Sequence, residues 1–354
     1  MAPILGALYH ETFYLSMVKS SSLKSPKKEE VIDQTIEALL QPKDWDEYVG
    51  QAKVKKSLRI ILTAARRRGE PVDHLLFYGQ AGLGKTTLAK LVALEMGAPL
   101  RITSGPAIEK AGDLAAVLSH LEENEILFID EAHRLNRMIE EVLYPAMESR
   151  KLHIIIGKGP GARTISLDLP AFTLVAATTR VNLLSAPLRS RFGATFKLDY
   201  YDEKDIEAII KRSANILGVN IDPAAISVLA RAARFTPRTA NRLLKRTRDY
   251  LEVNGGEAIT EEVAQKTLGI LEIDSLGLEN HDQIFLNTII EKFNGGPVGV
   301  GTIAAALNED KGIIEDVYEP YLMRLGFLRR TPAGRVVEKA AFRHLGKQPS
   351  QQLL

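Results

Sequence analysis

The feature that most restricts this chain is an eight-residue run, Gly79-Gln80-Ala81-Gly82-Leu83-Gly84-Lys85-Thr86, set between two apolar stretches. It matches the pattern G-x-x-x-x-G-K-[ST]. Its glycines let backbone N–H groups curl around an anion, and the N-terminus of a following helix adds partial positive charge there. The run therefore demands a buried strand before it, expected at His74–Tyr78, and a helix after it, expected at Thr86–Met96. Lys85 is placed to reach the β and γ phosphates of ATP, and the Thr86 hydroxyl to hold Mg2+.

A second signal follows 45 residues after Lys85: four apolar residues, Ile126–Ile129, end on Asp130 and Glu131. A buried strand of this kind leaves its carboxylates at its C-terminal end, where open α/β sheets bind ligands. Asp130 is expected to hold Mg2+, and Glu131 to orient and deprotonate an attacking water. The three apolar runs His74–Tyr78, Glu125–Asp130 and Thr173–Thr178 alternate with helical stretches such as Thr86–Met96 and Glu140–Met147, which predicts a doubly wound parallel sheet. Thr179, just past the third run, is the expected γ-phosphate sensor. Pro187-Leu-Arg189-Ser-Arg191-Phe-Gly193 looks like an arginine-finger segment, with Arg191 preferred and Arg189 the alternative. Thr236-Pro237-Arg238 opens a helix, and Arg238 resembles a second sensor. Together these features favour the AAA+ class of P-loop ATPases, with ATP and ADP as ligands. The letters Asp130-Glu131-Ala132-His133 also spell the label of another helicase superfamily, but no second-domain arginine motif accompanies them.

The strand signal ends near Tyr200. Four amphipathic stretches, Asp205–Leu217, Pro223–Arg234, Ala240–Glu252 and Glu261–Leu271, predict a small helical lid. Beyond about Ser275, three helical stretches precede a hairpin-like segment, Phe327–Val337, turning at Thr331–Gly334, which predicts a winged helix. The expected division is a polar tail over 1–40, an ATPase domain over 41–199, a lid over 200–272, a winged helix over 273–347 and a short tail over 348–354. The chain has no cysteine, which excludes disulfides and cysteine-held metals and fits a reducing, cytoplasmic setting. Net charge is only +2, so an argument for nucleic acid must be local. From Arg324 to Lys347 seven Lys or Arg residues face one acid, Glu338, and arginines beside a hairpin turn suit phosphates rather than base edges. No apolar run approaches a membrane span, and His10 and Glu11 interrupt the mildly apolar start, so no signal peptide is expected.

Longer runs carry a specific resemblance. Leu127–Leu135, Glu141–Glu148, Thr236–Leu244, Glu315–Leu322 and Gly326–Arg335 are similar to the RuvB family of AAA+ branch-migration motors, over roughly Leu40 to Gly346. The resemblance implies a homohexameric ring acting on four-way DNA junctions and duplex arms without sequence preference. It implies RuvA as partner and leaves RuvC resolvase as a further candidate. It implies nucleotide contacts at Leu40, Gly82, Gly84, Thr87, Glu148, Arg191, Tyr201 and Arg238, and DNA contacts at Arg330 and Arg335. It also matches residues 150–170 to a RuvA-docking hairpin with Ile154 and Ile156 at its apolar tip. Read from its residues, Lys151–Ile156 is an apolar run suited either to a partner or to a buried strand. Gln80 and Ala81 stand where the family usually has prolines, Gln41 where it has arginine, and Ser149–Arg150 where it has an acidic–aromatic pair. An ATP-gated origin-recognition factor, which also joins such a core to a winged helix, and a clamp-loader subunit are the alternatives.

Overall fold

The structure is a computed structural model that describes residues 36–156 and 163–348. Nearly all of the expected N-terminal tail, the tip of the 150–170 segment and residues 349–354 lie outside them, as do the side chains of Ile155, Ile156, Arg163 and Thr164. Residues 36–40, expected to belong to the tail, are helical. They belong to a separate N-terminal unit ending at Gln41, and the rest of the chain is one compact unit.

The ATPase sheet has five parallel strands in the order β2 (Leu100–Ser104), β3 (Glu125–Asp130), β6 (Phe172–Thr178), β1 (Leu75–Tyr78), β7 (Ala194–Lys197). Strands β1, β3 and β6 read as near-continuous apolar runs because both faces are covered. Helices α1 (Ala52–Arg68) and α2 (Lys85–Met96) bury Leu58, Leu62, Leu88 and Val92 on one face with Phe77 and Phe128. On the other, α3 (Ala111–Ser119) and α4 (Arg137–Ser149) bury Leu114, Leu118, Ile139 and Leu143 with Leu127 and Ile129. β2 and β7, which the apolar pattern did not predict, are half-buried flanking strands with polar residues interleaved.

Between α4 and β6 the chain leaves the sheet as an antiparallel hairpin, β4 (Lys151–Ile156) with β5 (Arg163–Asp168), which forms its own two-stranded sheet. Leu152 anchors it in the core, and Ile154 packs half-buried at the core's edge. Ile165 and Leu167 are exposed. Thus the buried-strand alternative does not hold for the hairpin as a whole.

The lid is four helices, α5 (Glu203–Leu217), α6 (Pro223–Ala232), α7 (Pro237–Asn254) and α8 (Glu261–Ile270). Asp202, Thr236 and Thr260 cap three of them by accepting from the backbone N–H three residues on. The lid shares one apolar core with the α1–α2 side of the sheet. The winged helix has its own core and comprises α9 (Asn280–Phe293), α10 (Val300–Leu307), a π-helical segment Ile314–Tyr318 running into α11 (Glu319–Arg324), the hairpin β8 (Leu328–Thr331)–β9 (Gly334–Val337), and α12 (Lys339–His344).

Candidate nucleotide site and wing

Strand order decides what meets at the phosphate loop. β6 lies between β1, which feeds the loop, and β3, which ends on Asp130, so the threonines closing β6 stand between the two motifs. Gly82 and Gly84 both adopt positive φ, 79° and 93°. A methyl at Gly84 would come within 2.9 Å of the Tyr48 hydroxyl, so the turn needs glycine there. Lys85 is buried and donates to the carbonyls of Gly79 and Gln80 at 2.8 Å each. Burial pulls its pKa down to about 8, against the opposing pull of Asp130. Thr86 Oγ1 donates to Asp130 Oδ2 at 3.4 Å. A hydroxyl and a carboxylate facing each other beside a glycine cradle are the hard oxygen donors that Mg2+ takes, so the residues present fit a magnesium nucleotide. Thr87, next on α2, is half-buried.

Asp130 Oδ1 accepts the Glu131 backbone N–H at 2.8 Å. Glu131 itself takes a left-handed backbone, φ 48°, which is costly for a residue with a Cβ, and its side chain stays exposed. Gly105 makes room for this turn: a Cβ there would sit 2.4 Å from the Glu131 carbonyl oxygen. His133 follows, its Nδ1 3.0 Å from the hydroxyl of the fully buried Thr178. Burial holds the His133 imidazole below its ordinary pKa. Thr179 is the first residue past β6 and is half-buried.

From the lid, Arg238 lies over the loop: a methyl at Gly82 would approach its Cβ to 3.1 Å. Its charge also lowers the Lys85 pKa, behind the burial effect. Tyr201 braces the loop from beneath. Its hydroxyl donates to the Leu83 carbonyl at 3.4 Å and lies 3.3 Å from that of Tyr48, and burial pushes its pKa up to about 12. Tyr48 was not singled out from the sequence, because only the fold brings it to Leu83, 35 residues away.

Arg191 and Glu148, both expected at nucleotide, meet each other. Arg191 Nη2 lies 3.0 Å from Glu148 Oε1, Nη1 donates to the Pro187 carbonyl, and the guanidinium stacks 4.3 Å over the Tyr144 ring. Arg191 Nε is buried and has no partner within the chain. Leu40, also expected at nucleotide, lies in the N-terminal unit.

The wing arginines are held by acidic residues of the same domain. Arg330 and Arg335 are directly opposed across β8–β9 and so share one face. That face packs on α11, where Glu319 is fully buried. Arg330 Nε donates to Glu319 Oε2 at 2.5 Å, and Arg335 Nε to Oε1 at 2.8 Å, while Arg335 Nη2 reaches Glu315 at 3.1 Å. Both arginines beside the turn are thus tied back to a buried carboxylate, Arg335 largely covered and Arg330 still exposed. Arg335 is only 15% exposed and Arg330 46%. Glu315 and Glu319 lie just before the 324–347 window, so the charge count along the sequence overlooked them. Arg329, 62% exposed beside Glu338, is the more open guanidinium of the hairpin.

Comparison with known proteins agrees over the same span. Residues 40–198 match the family model for the Holliday junction DNA helicase RuvB P-loop domain, 201–274 the RuvB AAA lid domain, and 275–346 the RuvB C-terminal winged helix domain. The Holliday junction branch migration complex subunit RuvB of Chloroflexus aurantiacus is 56% identical over 314 residues, 89% of this chain and 90% of that protein. Its counterpart in Chloroflexus aggregans is equally similar. Among solved structures, the Thermotoga maritima RuvB Holliday junction branch migration motor is 46% identical with a TM-score of 0.81, covering 88% of this chain and 99% of that one. A single-site variant of that motor gives 47% and 0.82, covering 87% and 99%. With nine-tenths of its length matched at this identity, and all three domains in order, the chain belongs to the RuvB family.

Proposed function

We infer that this protein is an ATP-hydrolysing motor that drives branch migration of Holliday junctions. The observation that carries this reading is the junction of phosphate loop, acidic strand end and lid arginine in one site, in a chain whose winged helix brings arginines to a hairpin. Lys85 would hold the β and γ phosphates, Thr86 and Asp130 would hold Mg2+, and Glu131 would position and deprotonate the attacking water. Bound Mg2+ would supply positive charge against the phosphates. Thr179 would sense the γ-phosphate, and Arg238 would tie the lid to it. The substituted lysine, alanine, threonine, arginine and proline of the solved Thermotoga variants have the same order and spacing as Lys85, Ala177, Thr179, Arg191 and Pro237 here, which supports the assignment.

Arg191 is read as the finger reaching a neighbouring subunit's nucleotide. Its unpartnered Nε and its light tether to Glu148, which is 59% exposed, suit a group that can change partner. A ring, with six copies as in the family, follows from that role. The β4–β5 hairpin is read as the RuvA-docking element. Ile154, midway along the ladder opposite Ile165, and the exposed Ile165 and Leu167 supply apolar surface, with the Ile156 side chain outside the described residues. RuvC stands as a further partner of the assembly. Among the described residues no helix is long and apolar enough to cross a membrane. The setting proposed is the cytoplasm, where the junction DNA lies. The test is a junction-dissociation assay with purified protein, RuvA and ATP. Strand separation that requires all three supports the motor. ATP-dependent binding to one defined sequence without junction movement would favour the origin-recognition alternative.

A further inference from the structure

The acidic run at the start of the third winged-helix stretch touches two places at once. Its central carboxylate, Asp316, reaches the ATPase domain. Arg180 Nε donates to Asp316 Oδ1 at 2.6 Å, and an Nη of Arg180 meets Oδ2. Arg180 comes immediately after Thr179. Its backbone N–H donates to the Thr178 hydroxyl at 3.0 Å, the same hydroxyl that faces His133 beyond Glu131. The flanking carboxylates, Glu315 and Glu319, hold Arg335 and Arg330 of the wing. Glu315 and Glu319 both reach the wing arginines, while the intervening Asp316 points to Arg180. Residues 314–318 are π-helical, a widened turn that often marks functional sites.

We propose that Asp316 is a positioning residue that couples the γ-phosphate sensor to the grip of the wing on DNA. Movement of Thr179 on nucleotide turnover carries Arg180 with it. Arg180 pulls on Asp316, and the same turn of helix displaces Glu315 and Glu319 against Arg335 and Arg330. The connection stays within one chain and bypasses the lid. The Arg180–Asp316 pair is 30% and 45% exposed, so it adds little to stability. Its removal should leave the fold intact.

The proposal rests on the reading of the chain as a DNA-driven ATPase, and the wild-type arm tests that reading separately. The full-length protein is assayed for ATPase with no DNA, with a linear duplex of arbitrary sequence, and with a four-way junction plus RuvA. If neither DNA raises the wild-type rate, the motor reading itself falls. Given stimulation, Asp316→Ala should keep the basal rate, the KM for ATP, the duplex Kd measured without nucleotide and the melting temperature. The DNA-stimulated kcat should drop roughly threefold or more. Exchanging the charges, Arg180→Asp with Asp316→Arg, should recover much of the loss. Undiminished stimulation in Asp316→Ala overturns the proposal. So does a loss that tracks weaker DNA binding or a lower melting temperature, which would mark Asp316 as merely structural. Failure of the exchanged pair to recover function equally removes the coupling.

Discussion

Single side chains carry the sharpest tests. Lys85 has its pKa lowered to about 8 by burial. Phosphate binding favours the ammonium, so the bound pKa must be higher and nucleotide binding takes up a proton above pH 8. Below 8 Lys85 is already charged and the affinity is fully present. Above 8 the ADP affinity should fall, by up to about tenfold per pH unit, until the bound-state pKa is passed. Calorimetry at pH 9 in two buffers of different ionisation heat should show the uptake; buffer-independent heats would contradict it. Glu131→Gln should bind ATP but scarcely hydrolyse it, since the amide cannot accept the water's proton. Single-turnover hydrolysis at the wild-type rate would reduce Glu131 to a turn residue. Arg191→Ala should keep nucleotide binding and lose turnover by roughly 10³-fold. On the proposal that Arg191 acts on a neighbour, mixing this variant with Glu131→Gln protein should restore some activity. No recovery in rings shown to have mixed would count against action in trans.

At the scale of elements, the wing forces a change of experiment. Replacing Arg330 and Arg335 together by Ala would strand the buried Glu319 carboxylate and should destabilise the winged helix by about 3 kcal/mol. DNA binding would then be lost through folding as well as contact. Adding Glu319→Leu removes the orphan charge, and thermal denaturation should show the triple variant recovering most of the loss. An unrecovered melting temperature would mean the clamp is not the source of the instability. These elements also show what was legible beforehand. Strands β1, β3 and β6 were readable because both their faces are buried and their residues uniformly apolar. β2 escaped because Arg101 and Thr103 interrupt Leu100 and Ile102, and β7 because it is a four-residue edge with exposed Thr195 and Lys197. The phosphate-loop residues and Asp130, which the structure brings together, were readable because phosphate binding imposes a fixed local spacing. Tyr48, Arg180, Glu315 and Glu319 were not, since their partners lie 11 to 136 residues away and pairing at such range follows only from the fold.

Across the whole molecule, the lid and winged helix are joined by more than the chain between them. Arg234 pairs with the fully buried Asp282 at 2.9 Å and stacks 4.3 Å over Tyr321, while Arg242 meets Glu279 at 2.6 Å. Arg234 and Phe235 both hold left-handed backbones, φ 52° and 56°, just before the Thr236–Arg238 segment. Two such residues in succession cost roughly 2 kcal/mol or more, which surrounding contacts must offset. The two domains should therefore unfold as one unit. Asp282→Ala, which leaves a buried cation unpaired, should lower stability by about 3 kcal/mol. Calorimetry should then show the shared transition splitting or moving down, and an unmoved transition would deny the clamp its role. The β4–β5 hairpin has the opposite character. Among the described residues its strands pair only with each other, and its two ends, Lys151 and Asp168, are register partners across the ladder. Its entry and exit thus lie about one strand spacing apart, near 5 Å. An insertion with adjoining ends can be shortened, lengthened or exchanged without disturbing the register of the sheet behind it. If the hairpin is the docking element proposed above, partner choice and ATP chemistry are separable in inheritance: the hairpin can diverge to suit a new adaptor while the strands beside the phosphate loop stay as they are.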